Sequence, residues 1–260
     1  MSARQGLSGI EGLLLDLDGV VHIRDKPVAG SLDAIAKLRA AGFPFRFVTN
    51  TTRRPRRSIV AGLADLGLAV AKDEVFTPAS LVRERLAGRN IKPLLVIHPD
   101  LREDFADLAE GEDAVVIGDA GEHFSYDGLN RAFRALVHGA EFFALARNRN
   151  FLDADGELSL DVGGFVAALE YASQREAIVF GKPAPQFFQS AVDALNLPAR
   201  NVLMVGDDAE ADVGGALAAG LCGALVRTGK YRAGQERGLT AAPTLVADDL
   251  AAVVTSLVEE

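Results

Sequence analysis

Four short polar clusters in this chain each follow an apolar run, and their residue types suit work on an anion. Asp16-Leu17-Asp18-Gly19 follows Leu13-Leu14-Leu15, and Thr49-Asn50-Thr51-Thr52 follows Phe47-Val48. Gly181-Lys182-Pro183 follows Val179-Phe180, and Gly206-Asp207-Asp208 follows Met204-Val205, with Asp212 close behind. Carboxylates at the end of an apolar run are costly to bury unless paired or metal-bound. Asp16, Asp18 and Asp207, with no clustered His or Cys, make a hard oxygen site of the kind that takes Mg²⁺ with waters and a phosphate. Lys182 and the Thr49-Asn50 pair add positive charge and donors for phosphoryl oxygens. In such a site one carboxylate can attack phosphorus, and a second can protonate the leaving group and then deprotonate water.

The elements that must position these clusters alternate along the chain. Gly12 to Leu17 predicts a buried strand, and Ser31 predicts a capped helix with Leu32, Ile35 and Leu38 on one face, ended by Gly42. Phe45 to Val48 predicts a second strand and Pro55 to Leu66 a helix. The rhythm returns with strands at Ala177 to Phe180, Asn201 to Val205, Cys222 to Val226 and Thr244 to Ala247. Helices are expected at Pro185 to Leu195 and Ala209 to Ala219, with Asp248 starting a terminal one. Strand, helix and strand in succession imply right-handed crossovers and a parallel sheet. In open parallel sheets ligands sit outside the carboxyl ends of the strands, so the four clusters should converge.

Between the halves lies about a hundred residues with their own strands (Leu94 to Ile97, Ala114 to Ile117, Phe142 to Leu145) and helical faces (Ala79 to Leu86, Tyr126 to Val137, Gly164 to Ala172). The reading is an α/β chain whose core comprises residues 1–77 and 178–260, with 78–177 an inserted α/β domain; one continuous large sheet is the alternative. Hinges are expected near Thr77-Pro78 and near Gln174 to Ala177.

The 260 residues are 49% hydrophobic and 24% charged, with net charge −9. Such a composition excludes disorder and collagen, and the acidic balance argues against nucleic acid as a partner. The densest basic run, Arg53-Arg54-Pro55-Arg56-Arg57, reads as a solvated helix start. One cysteine, Cys222, excludes an internal disulfide framework and reads as a buried strand thiol. No apolar leader is read in Met1 to Glu11 and no stretch approaches membrane-span length, so a cytoplasmic protein is expected, with no membrane partner and a homodimer left open. Asp153-Ala154-Asp155-Gly156 hints at a calcium loop but has Leu158 where that loop needs Gly, and reads as a turn. The four histidines (His22, His98, His123, His138) show no ligand spacing. His22, three residues after Gly19, reads as a loop or surface histidine that could approach the site.

The four clusters together resemble the motifs of the haloacid dehalogenase (HAD) superfamily: Asp16-x-Asp18-Gly19, Thr49-Asn50, Lys182, and Gly206-Asp207 with later acids. The insertion between the second and third resembles the type IIA cap of NagD-like phosphatases. That resemblance implies a Rossmann-like core with a parallel sheet and an inserted cap, and a Mg²⁺-dependent phosphatase of small phosphorylated molecules working through an aspartyl-phosphate. It implies Asp16 as nucleophile and metal ligand, and Asp18 as general acid/base whose backbone carbonyl reaches the metal. Asp207 would be a metal ligand, and Asp208 or Asp212 would sit behind the ligands. Thr49, Asn50 and Lys182 would hold the phosphoryl group. Some relatives carry Ser in place of the second Asp; with Asp18 present, activity is expected. A phosphotransferase or mutase of the same fold, or a phosphate-binding regulatory protein without turnover, are the alternatives. In the insert, Arg147 and Arg149 follow the strand Phe142 to Leu145 and are candidates for recognising a second anionic group on the substrate; a solvated polar loop is the alternative.

Overall fold

The computed structural model describes residues 7–152 and 156–258. The chain divides into two compact units, one of residues 1–49, 60–76 and 182–260, the other of residues 50–59 and 77–181. Asp153 to Asp155, part of the loop with the calcium-like pattern, lie outside the described residues.

The first unit is built on a six-stranded sheet in the order Leu245–Ala247, Cys222–Val226, Val202–Gly206, Gly12–Asp16, Phe45–Val48 and Val75–Phe76. Every pairing is parallel. Gly12–Asp16 lies inside the sheet, where both faces are covered, and this is why its residues are apolar without alternation. Leu13, Leu14 and Leu15 are wholly buried. The register sets Leu15 opposite Val205 on one side, and Leu15 and Asp16 opposite Phe47 and Val48 on the other. Adjacent strands therefore end together, and the residues that follow them leave the sheet along one edge.

The second unit has its own four-stranded parallel sheet, in the order Ile178–Val179, Glu141–Ala144, Ala114–Ile117 and Pro93–Val96, so the continuous-sheet alternative fails. The helices Tyr126–Val137 and Val162–Ser173 cover it with a core that includes Ala132, Leu136, Val162, Val166 and Leu169. A separate antiparallel hairpin joins Asn150–Leu152 to Leu158–Leu160.

Several local expectations are corrected. Ser31 is the first helical residue rather than the cap: Gly30 takes the capping place in the left-handed region, and the Ser31 hydroxyl donates to the Val21 carbonyl (2.7 Å). The terminal helix is Leu250–Val258, and Asp249, not Asp248, accepts from its first turn through the Ala252 N–H (2.8 Å). Asp248 instead pairs with Arg227 (2.7 Å), a contact that residues distant in sequence alone could not announce. Cys222 opens its strand but is only half-buried, its thiol 3.6 Å from the Arg200 carbonyl. The basic run is not simply solvated. The helix begins at Arg56, Arg57 pairs with Glu103 (2.7 Å), and Arg53 grips Asp119 through two N–H groups (2.5 and 3.1 Å).

Candidate functional site

Asp16 is the last residue of its strand and is buried. Its Oδ1 accepts from the Leu17 N–H (2.9 Å) and lies 2.8 Å from the Lys182 ammonium. Lys182 is buried as well and reaches Asp212 Oδ1 at 2.6 Å. One ammonium thus bridges two carboxylates that the sequence places far apart. Its Gly181 neighbour must be glycine: a Cβ there would meet Asn50 Oδ1 and the Leu145 carbonyl at 2.5 Å.

The strand Val202–Gly206 delivers Asp207 to the same edge. Gly206 is required because a Cβ on it would lie 2.2 Å from Cβ of Asp212. The chain then winds through a π-helical turn, Ala209–Gly214, before the helix Gly215–Ala218. The wider turn carries the buried Asp212 back toward the strand end, where its Oδ2 accepts from the Asp208 N–H (3.1 Å). Asp208 takes different work. Its Oδ1 accepts from the N–H groups of Glu210 (3.1 Å) and Ala211 (2.9 Å), capping the turn.

Asp16, Asp207 and Asp212 each offer a carboxylate oxygen within 4.8 Å of the others. Burial dominates their proton affinities. It raises Asp16 against the pull of Lys182. Burial pushes Asp207 up to about 6, opposed by the Lys230 N–H and reinforced by Asp212. Burial together with the charge of Asp16 pushes Asp212 up to about 7. Burial alone would lower Lys182, but Asp16 and Asp212 overcome it and hold the ammonium above its ordinary range. Once all three are ionised, the buried Lys182 ammonium answers only part of their negative charge. Asp207 Oδ1 is buried and has no hydrogen-bond donor among the described residues. An orphaned carboxylate oxygen inside a buried all-oxygen cluster is what a hard divalent cation satisfies, so the residues present fit Mg²⁺.

Asp18 stands apart from that cluster, with its carboxylate exposed to solvent. Thr49 is buried and its N–H donates to the Phe76 carbonyl (3.1 Å), fixing it at the end of the neighbouring strand. Asn50 follows, half-buried, where the chain enters the second unit. Arg147 and Arg149 both belong to that unit and are exposed. Arg147 donates to Glu170 (2.6 Å), while the Arg149 carbonyl accepts from the Asp161 N–H (3.2 Å), holding the loop against the start of Val162–Ser173.

A fifth strand end, whose Gly-Lys pair has the wrong spacing for a phosphate loop, joins the four clusters. After Cys222–Val226 come Thr228, Gly229 and Lys230. The Thr228 hydroxyl donates to the Gly19 carbonyl, and the Lys230 N–H donates to Asp207 Oδ2 (2.6 Å). The strand-end rule applied to this Thr-Gly-Lys run would have found it.

The sequence comparisons add a further finding. The family model described as haloacid dehalogenase-like hydrolase matches residues 13–111, and a second HAD-hydrolase-like model matches residues 179–253. The chain is 40% identical to the phospholysine phosphohistidine inorganic pyrophosphate phosphatase of Rattus norvegicus, across 97% of this chain and 96% of that one. The chain belongs to the haloacid dehalogenase-like hydrolases. Among solved structures it is similar to a 4-nitrophenylphosphatase from Thermotoga maritima (TM-score 0.88, 26% identity, 97% of this chain and 99% of the other). It is also similar to a glycerol phosphate phosphatase from Mycobacterium tuberculosis in complex with magnesium (TM-score 0.82, 30% identity, 97% of this chain and 78% of the other). This HAD-like hydrolase is a phosphatase with the α/β core and cap fold of NagD-type enzymes. No helix among its described residues is long and apolar enough to cross a membrane.

Proposed function

We propose that this phosphatase is Mg²⁺-dependent and hydrolyses small phosphorylated molecules through an aspartyl-phosphate on Asp16. The observation that carries the reading is the buried cluster of Asp16, Asp207 and Asp212, in which Lys182 bridges Asp16 and Asp212. Asp16, Asp207 and the Asp18 backbone carbonyl would hold the ion, with Asp212 tied to Lys182 behind them. When bound, the ion supplies positive charge to the phosphoryl oxygens and to the Asp16 carboxylate.

The chain's own groups do the rest. Asp16 attacks phosphorus as the bond to the leaving oxygen breaks, and Asp18 gives that oxygen its proton. Water then attacks phosphorus, Asp18 takes the water's proton, and the Asp16–phosphorus bond breaks to release phosphate. An exposed Asp18 suits this role, since a carboxyl that is free to move can meet first the leaving group and then water. Lys182, Thr49 and Asn50 would hold the phosphoryl oxygens. Arg147, paired with Glu170, and Arg149 stay candidates for a second anionic group.

The test is phosphate release from a panel of phosphomonoesters, pyrophosphate and P–N compounds, with Mg²⁺, with Zn²⁺ and after chelation. Chelation should abolish turnover, and Mg²⁺ but not Zn²⁺ should restore it. Asp16→Asn should form no phosphoenzyme. Full activity without a divalent ion, or normal turnover by Asp16→Asn, overturns the reading.

A further inference from the structure

Asp18, exposed as it is, has one side-chain partner among the described contacts, and that partner is His22. The histidine Nδ1 lies 3.7 Å from Asp18 Oδ1, and the imidazole is mostly buried while the carboxylate is open. The backbone forces this approach. The N–H groups of Val20, Val21 and His22 all converge on the Leu17 carbonyl (3.4, 2.9 and 3.1 Å), and the Gly19 N–H donates to the His22 carbonyl (2.7 Å). The chain therefore folds back within four residues and sets His22 beside Asp18 as an isolated bridge.

The ring is oriented too. Nδ1 lies 2.9 Å from the Arg24 carbonyl. A carbonyl only accepts, so Nδ1 carries the proton in that bond. Arg24 itself is held in the left-handed region (φ 52°) as the chain turns into the short hairpin of His22–Ile23 with Lys26–Pro27. The Nδ1–H is spent on the Arg24 carbonyl, and the same edge of the locked ring lies beside the exposed Asp18 carboxylate. At 3.7 Å the contact is longer than a hydrogen bond, so it biases the carboxylate's direction without tying it down.

We propose that His22 is a positioning residue for Asp18: it holds the acid/base carboxyl toward the leaving oxygen while leaving it free to move between the two proton transfers. The inference rests on Asp18 being the general acid and base. Loss of His22 should then matter in proportion to how much the leaving group needs a proton.

The experiment measures kcat and KM of the Mg²⁺-loaded enzyme on 4-nitrophenyl phosphate, phenyl phosphate and a simple alkyl phosphate. The proteins compared are the parent, Asp18→Asn, His22→Ala, His22→Asn and the double variant Asp18→Asn/His22→Ala. His22→Ala should lose about 10-fold more kcat on the alkyl ester than on the nitrophenyl ester, a fraction of the general-acid effect lost in Asp18→Asn. His22→Asn, which keeps an N–H near Nδ1, should recover most of that selective loss. The double variant should fall no further than Asp18→Asn on the alkyl ester, because the two residues act as one unit. An equal loss on all three esters marks His22 as structural only and overturns the inference, as does no loss at all. If Asp18→Asn itself shows no leaving-group dependence, the acid/base assignment fails first and the inference falls with it.

Discussion

Gly229 sits so close to Asp207 that a Cβ on it would lie 1.9 Å from Oδ2. The same oxygen would meet a Cβ on Gly19 at 1.9 Å, so two glycines from different strand ends close on one carboxylate. Both have positive φ, 53° and 86°, so glycine is needed there for conformation as well as for space. The arrangement leaves Oδ2 to the Lys230 N–H and turns Oδ1 inward without a donor among the described residues. Gly229→Ala should push this loop away from Asp207 and weaken Mg²⁺ binding, raising the Mg²⁺ concentration for half-maximal activity by at least about 10-fold. It should also destabilise the fold by roughly 1–3 kcal/mol. Metal titration of activity and urea denaturation read the two effects. An unchanged Mg²⁺ requirement would show that the loop does not position Asp207.

Among the described residues, Lys182 is the one ammonium paired with Asp16 and Asp212, and both pairs are buried. Lys182→Met leaves two buried carboxylates without it. Removing one partner of a buried pair costs about 3–5 kcal/mol. Urea denaturation at pH 8 without metal should show a loss of that size, and Mg²⁺ should return part of it. Lys182→Arg should not restore activity, because the planar guanidinium cannot place one point charge between two carboxylates. Parent-like turnover by the arginine variant would contradict this geometry.

The carboxylate shifts set a pH dependence of stability for the metal-free protein. Asp207 at about 6 and Asp212 at about 7 stand above the ordinary value of 3.8. Between those limits the folded chain keeps protons that the unfolded chain has lost, so stability falls as pH rises. This contribution is complete below about pH 4 and gone above about pH 7. After chelation, the melting temperature should therefore drop between pH 5 and pH 8, and Mg²⁺ should raise it more at pH 8, where the ion does not compete with protons. Asp212→Asn should flatten the metal-free drop. A melting temperature that rises toward pH 8 in the chelated parent would refute the assignment of these shifts.

Asp208 and Asp212 should separate cleanly. Asp208→Ala removes the cap on Glu210 and Ala211 and should cost about 1 kcal/mol of stability, with a small change in Mg²⁺ requirement. Asp212→Ala frees Lys182 and removes a member of the cluster, and should lower kcat by about 100-fold or more. Comparable effects of the two substitutions on Mg²⁺ dependence would place Asp208 in the metal's surroundings after all.

Much of the fold and part of the site could be read from residue order. Leu13 to Leu15, Phe47-Val48 and Met204-Val205 are apolar without alternation, which only a strand covered on both faces tolerates. Parallel pairing then fixes where such strands end. Asp16, Thr49 and Asp207 consequently had to emerge along one edge, however far apart in the chain. Short-range logic failed where long-range partners decide. Ser31 and Asp248 have the types of capping residues, but Val21 and Arg227 claim their side chains. Among Asp207, Asp208 and Asp212, composition assigns no roles. The π-helical turn and the Asp208 cap determine which two face inward. Gly229 and His22 gain meaning only from what lies against them, Asp207 and Asp18. Residue order was enough to say which residues reach the sheet edge, because burial of apolar runs is a property of the runs. Tertiary structure alone decided where each carboxylate points, because that depends on hydrogen-bond donors, close backbone approaches and a single shared ammonium brought from remote parts of the chain.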